Sequence, residues 1–188
     1  NMAQNNNQQQ QNTSSAFEKE DAYRSLEMVN TWINNLDTKV SFALALVGVL
    51  IGVIFSEGLP NAFQRISEVP KLAELNGGEI IAALLVGILY LTSFCSVYSF
   101  MMAIIARVKN ENNAPSIFFF CSIGAMGLQN YKDKVNHLTE AQLLEDLEEQ
   151  IHANSKICSK KAKWYNKGIK LLVSTIILWF ICMTFQLI

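Results

Sequence analysis

Two histidines, three prolines and a complete lack of charge over three long stretches are the absences that shape this 188-residue sequence. His137 and His152 stand alone, with no HExxH, no phosphate-cradling glycine loop and no G-x-S-x-G elbow beside them. The chemistries that need those spacings are excluded. The chain is therefore expected not to be an enzyme, with no catalytic, metal or cofactor residue to nominate. Cys95, Cys121, Cys158 and Cys182 form no C-x-x-C pair, so neither a zinc site nor a disulfide framework is indicated. They are expected to pack as small apolar residues. After Pro115 there is no further proline, and nothing of that kind interrupts a helix to Ile188.

What is present is apolar. At 51% hydrophobic and 16% charged residues, the chain is too apolar for an ordinary soluble domain. The uncharged windows 40–56, 80–106 and 171–188 each suit a helix crossing a hydrocarbon core of about 30 Å. The expected class is an all-α membrane protein with three transmembrane helices, extended by long helices into a cytoplasmic helical bundle. The expected segments are a disordered Asn/Gln-rich tail over 1–15 and a cytoplasmic helix over 16–39, continuous with the first span at 40–56. An outer loop over 57–79 follows, then the second span at 80–106, a cytoplasmic helical region over 107–170 and the third span at 171–188. Asn1 before Met2 reads as an expression remnant. The first span, some forty residues in and without a basic leader, is not expected to be a cleaved signal peptide.

Orientation follows from basic residues. The 57–79 loop has two, Arg65 and Lys71, against ten over 107–170. The larger excess marks the cytoplasmic side, so the N-terminus is expected inside and the C-terminus outside. No span holds an ionisable acid, base or histidine, which argues against a proton-coupled pump.

Within the spans, small and polar residues are patterned. Ser41, Ala45, Gly48, Gly52 and Ser56 share one face of the first span, and Gly48–Gly52 is a GxxxG suited to close helix packing. Thr92, Ser96 and Ser99 form a hydroxyl stripe on the second. These hydroxyls would either bond to carbonyls and neighbouring helices or line a water-filled path in an oligomer. Before the first span, Ala22, Leu26, Val29, Ile33, Leu36 and Val40 alternate at spacings of four and three, a packed seam. The seam predicts one rod from the soluble helix into the span, packed either within the chain or between chains. Between Pro60 and Pro70 a short surface helix is expected over 59–69. The apolar run 116–123 is too short to cross and reads as a buried element or an interfacial aromatic segment. Thr139 and Gln142 form a capping box that opens a second long rod. Its lysines serve topology and headgroup contact. Lys156, Lys160, Lys161 and Lys163 are also candidates for an anionic ligand such as a nucleotide phosphate. Asp37 and Lys39, at the junction of polar and apolar segments, are candidate coupling residues.

Three segments resemble the Pycsar-type transmembrane effectors of prokaryotic antiphage signalling. Trp32-Ile33-Asn34-Asn35-Leu36-Asp37-Thr38-Lys39-Val40 resembles that family's ADTKAG segment, with Leu36 and Val40-Ser41 in place of small residues. Phe118-Phe119-Phe120 through Ile123, with Tyr131, is similar to its FF-x-x-I…Y segment. Leu144 and Leu147 through Gln150-Ile151, Ile157 and Lys160-Lys161 is similar to its dQI…I…K helix. The resemblance covers roughly 20–188 and implies an effector in the inner membrane of a prokaryote. Its partners would be a nucleotide signal from a companion nucleotide cyclase or nucleotidyltransferase, the lipid bilayer and further copies of itself, a tetramer being favoured. The implied activity is a nucleotide-controlled pore or membrane-disrupting assembly that impairs the membrane on infection. A membrane-anchored scaffold that docks a partner protein without conducting ions is the alternative reading of the same helices.

Overall fold

From Lys19 to Phe55 the sequence has no proline, and its first glycine is Gly48. It forms one uninterrupted helix, α1 (Lys19–Phe55), of 37 residues, about 55 Å long at 1.5 Å per residue. The computed structural model describes residues 17–56, 58, 60–68, 76–106 and 116–188. Among them are six helices and no strand, α1 being followed by α2 (Asn61–Glu68), α3 (Gly77–Ile105), α4 (Phe120–Ala125), α5 (Leu128–Asn136) and α6 (Glu140–Thr184). The tail over 1–15, Pro70, Lys71, Arg107, Lys109 and the turn over 110–115 lie outside the described residues.

The helix ends follow local chemistry. Asn76 caps α3: its Oδ1 accepts from Gly78 N at 3.1 Å while Glu79 Oε2 accepts from Asn76 N at 3.0 Å. This reciprocal box satisfies two of the free donors at the helix start. Thr139 and Gln142 do the same for α6, with Gln142 Oε1 accepting from Thr139 N at 3.0 Å and Thr139 Oγ1 accepting from Gln142 N at 3.3 Å. From that cap α6 runs 45 residues without a break.

By their internal packing the residues divide into two compact units, Asn1–Glu27 with Ala114–Ile151, and Met28–Asn113 with His152–Ile188. In the first, Ala22 of α1 and Leu147 of α6 are fully buried. Tyr23 meets Phe118 edge-on at 5.9 Å, and Ile117 N donates to Asp146 Oδ2 at 2.8 Å. Ser116 Oγ accepts from both Phe118 N and Phe119 N, fixing the turn into α4. No residue of α4 itself is buried, so the apolar run 116–123 holds its place through Ser116, Ile117 and Phe118. Lys19 Nζ lies 3.1 Å from Glu140 Oε1, and this hydrogen-bonded carboxylate raises the Lys19 ammonium above its ordinary pKa.

In the second unit α1, α3 and α6 pack through two apolar clusters. One joins Val40, Ala43 and Val47 of α1 to Phe100 and Ala103 of α3 and Leu172 of α6. The other joins Ile54, Ala62 of α2, Val86, Leu89 and Cys182. The remaining faces are as apolar as these clusters: Phe42 is 76%, Leu84 60% and Phe180 59% exposed. In water such faces would be covered, since a monomeric soluble protein rarely leaves a large contiguous apolar patch open. Lys19–Phe55, Gly77–Ile105 and Glu140–Thr184 are each long and apolar enough to cross a membrane. The chain is thus all-helical with three candidate spans.

Candidate functional site

Along α6 one stripe recurs every seventh residue: Leu147, Asn154, Lys161, Gly168, Thr175 and Cys182. A seven-residue repeat keeps one seam of a helix facing its neighbours. Leu147, Lys161, Gly168, Thr175 and Cys182 are all buried. Asn154 Nδ2 donates to Asn30 Oδ1 of α1 at 2.8 Å. Seven residues further on both helices, Lys161 Nζ lies 2.5 Å from Asp37 Oδ1. The equal offsets show that α1 and α6 run parallel there and in heptad register.

Lys161 also reaches Ile104 O of α3 at 3.4 Å. That carbonyl is in the last turn of α3, where backbone acceptors lack intrahelical donors and a cation is favoured. The last turn of α3 has no basic residue of its own. Lys161 supplies the charge from α6, and its ammonium bridges three helices. Only 9% of its side chain is exposed, against 44% for Asp37. Burial of an ammonium is costly without a counter-charge, so Asp37 is what permits a lysine at this place in the seam.

One heptad further, Gly168 takes the ring of Phe100. A Cβ at Gly168 would stand 2.7 Å from Phe100 Cε1 and 2.9 Å from Cδ1. Ser96 Oγ donates to Gly168 O at 3.1 Å. One heptad beyond that, Thr92 Oγ1 lies 3.2 Å from Thr175 Oγ1. Between helices facing lipid, apolar burial adds little, so close approach and such polar links hold the pair, at about 0.6–2 kcal/mol each.

The nominated residues are placed as follows. Ser96 and Ser99 are buried and Thr92 half-buried within the one chain, Ser99 Oγ donating to Cys95 O of its own helix at 2.7 Å. Lys156, Lys160 and Lys163, at spacings of four and three, share a face of α6 that does not include Lys161. Asp37 and Lys161, nominated separately, come together, while Lys39 is exposed. Ser41, Ala45, Gly48, Gly52 and Ser56 are all exposed, and a Cβ at Gly48 or Gly52 would meet no atom within 4 Å. The pairing of Asn30 with Asn154 and the contact of Phe100 on Gly168 were not anticipated. The sequence signal of the first is the seven-residue spacing that 30 and 37 share with 154 and 161.

The segments that carry the family resemblance, 32–40 and 144–161, therefore meet at the Asp37–Lys161 pair. Residues 21–188 match PycTM, the Pycsar effector protein domain. The chain is similar to the Pycsar effector protein GmPycTM of Gulbenkiania mobilis, at 34% identity over 176 residues, covering 87% of this chain and 90% of the relative. No solved structure matches it. With the match spanning nearly all of the described helices, the chain belongs to the PycTM family of Pycsar effector proteins.

Proposed function

We propose that this chain is an antiphage defence effector of the prokaryotic inner membrane, switched by a cyclic nucleotide from a companion cyclase, that assembles with further copies and impairs the membrane. Three observations support the parts of this reading. The family is named for Pycsar effectors. Three helices suit spans, and the basic excess over 107–170 argues for an N-terminus inside and a C-terminus outside. Asp37 stands three residues before the uncharged window 40–56, and Lys161 of α6 pairs with it at that level, ten residues before the window 171–188. A change in the segments before them would reach the spans through this pair.

The assembly rests on one observation in particular. Among the described residues, the face of α1 bearing Ser41, Ala45, Gly48, Gly52 and Ser56 is left open by the packing of the other helices. A small-residue face lets a second helix backbone approach closely in lipid. That is the feature a homo-oligomer would use.

The test is the purified full-length chain in proteoliposomes loaded with a self-quenching dye. Added cyclic nucleotide should release the dye, and subunit counting in the same membranes should give more than one copy. Membranes that stay sealed under every nucleotide condition would instead favour a docking scaffold.

A further inference from the structure

After Glu149 the chain has no acidic residue, and six lysines stand between Gln150 and Ile188. Lys161 is engaged by Asp37. Lys163, Lys167 and Lys170 fall at spacings of four and three on the opposite face of α6, and all three are exposed. The helices beside them give their depth. Asn30 meets Asn154 and Asp37 meets Lys161 at one offset of 124 residues. Lys167 therefore stands level with Ala43 of α1, and Lys170 with Leu46. Val47 and Leu172 continue that register in one buried cluster. On α3, Ser96 reaches Gly168 O, between the two lysines. α1 is uncharged from Val40 onward to Ser56, and α3 from Ile80 to Ala106. Lys170 is thus six residues past the level of Val40, or about 9 Å deeper. There the outward side chains of α1 are apolar, Phe42 being 76% and Leu46 41% exposed.

Lysines at such a depth turn their heads back toward the interface. Lys167 does so: its Nζ lies 5.1 Å from the ring centroid of Trp164, one turn nearer the charged end of α6. Trp164 in turn meets Tyr98 of α3 edge-on at 6.1 Å. Tryptophan and tyrosine are the residues that favour the membrane–water boundary. In the other direction the lysine stripe continues at the same spacings through Ser174 to Ile177 and Ile181, which are 55% and 37% exposed. The stripe is cationic near the interface and apolar below it, which is the order of groups in a phospholipid. No carboxylate of α1, α3 or α6 stands at the level of Lys167 and Lys170 among the described residues. A second copy alongside would bring none either. A soluble anion would have to leave water to reach this face, whereas a lipid arrives within the bilayer.

We propose that this stripe binds an acidic phospholipid, its phosphate held by Lys163, Lys167 and Lys170 and an acyl chain lying along Ile177 and Ile181. Basic clusters at a membrane surface select anionic headgroups by charge. The site requires α1, α3 and α6 to be spans, and is independent of the nucleotide control and assembly proposed above.

The experiment is native mass spectrometry of the full-length chain in detergent, titrated with dioleoyl phosphatidylglycerol or with dioleoyl phosphatidylcholine. The unmodified chain should retain the acidic lipid at least tenfold better than the zwitterionic one. Lys167→Met with Lys170→Met should cut that preference at least fivefold. Lys167→Arg with Lys170→Arg, and Lys132→Met on the exposed side of α5, should each leave it within twofold. Melting curves show whether the methionine pair folds; if it does not, Lys170→Met alone should lose at least threefold. Inorganic phosphate in about hundredfold excess should not displace the lipid. Equal retention of the two lipids by the unmodified chain, or an unchanged preference in the methionine variants, overturns the site. So does an equal loss in Lys132→Met, which would mark a response to net charge alone. Displacement by inorganic phosphate would assign these lysines to a soluble anion and overturns the lipid.

Discussion

Lys161 and Asp37 are joined by a 2.5 Å contact but are unequally sheltered, the lysine side chain being 9% exposed and the aspartate 44%. Losing either partner is therefore not the same event. Without Lys161, Asp37 can turn to water or a headgroup. Without Asp37, a buried ammonium keeps, among the described residues, only Ile104 O, at 3.4 Å. Removing one member of a buried pair costs more than the pair contributes, because the survivor stays desolvated.

Asp37→Ala should accordingly lower stability by about 2–3 kcal/mol, toward the lower end for buried pairs because half of this one faces solvent. Lys161→Met, which keeps the stem's packing, should cost about 1 kcal/mol or less. The double variant should recover most of what Asp37→Ala loses. Denaturant or thermal unfolding in one detergent measures all three. Equal losses in the two single variants, adding in the double, would show that the pair carries no coupling.

Gly168→Ala is the second prediction. Alanine is the better helix former by about 1 kcal/mol, so propensity alone argues for a gain. Against it stands the ring of Phe100, fully buried, with Cε1 2.7 Å from the new Cβ. Overpacking of this kind costs about 1–3 kcal/mol, and the clash should win. The melting temperature should fall with Gly168→Ala and return when Phe100→Leu is added. A rise in the single variant would mean that the α3–α6 contact is looser than this geometry.

How much of this was legible in the sequence depends on the range of the interaction. The three apolar helices and the Thr139/Gln142 cap are local properties of composition and spacing, and both could be read directly. Asn76 and Glu79, three apart before an apolar run, carry the same kind of local capping signal. The heptad stripe of α6 was harder to read because its members are chemically unlike. Asn, Lys, Gly and Thr share a seam only because each meets a different partner: Asn30, Asp37, Phe100 and Thr92. Asp37 and Lys161 could each be singled out by sequence, but their pairing spans 124 residues of chain. Gly168 carries no local signal of its role, since its reason for being glycine lies on α3.

The cap of α6 gives a third prediction, local to the first unit. Thr139→Ala removes the acceptor for Gln142 N and one partner of the Gln142 side chain. Loss of such a cap costs about 1 kcal/mol. Amides in the first turn of α6 should exchange roughly fivefold faster with deuterium, as fraying at a helix end is the lowest-energy opening available. Amides around Lys161 should keep their protection. Slowed or unchanged exchange at 140–143 would show that the cap is not what holds this end.

The last prediction concerns α1. Gly48 and Gly52 are exposed, and among the described residues beyond its own helical turn neither would bring a Cβ within 4 Å of any atom. Leucine at either place therefore strains nothing in the protomer, and its melting behaviour at high detergent dilution should be unchanged. If a second copy packs on this face, leucine separates the two backbones and removes the close approach on which small-residue association depends. Gly48→Leu and Gly52→Leu should each shift the purified protein toward single copies and reduce nucleotide-triggered dye release at least tenfold. Gly48→Ala, still a small residue, should reduce release far less. A leucine at Val53, about 100° around the helix from the centre of this face and 48% exposed, should change neither subunit number nor release. Should all four variants behave as the unmodified chain, assembly uses another surface. Should the glycine variants and Val53→Leu fail together, the loss reflects general disturbance of the helix rather than this face. Only the graded order, leucine at glycine worse than alanine and leucine at Val53 silent, matches packing of α1 on a second copy of itself.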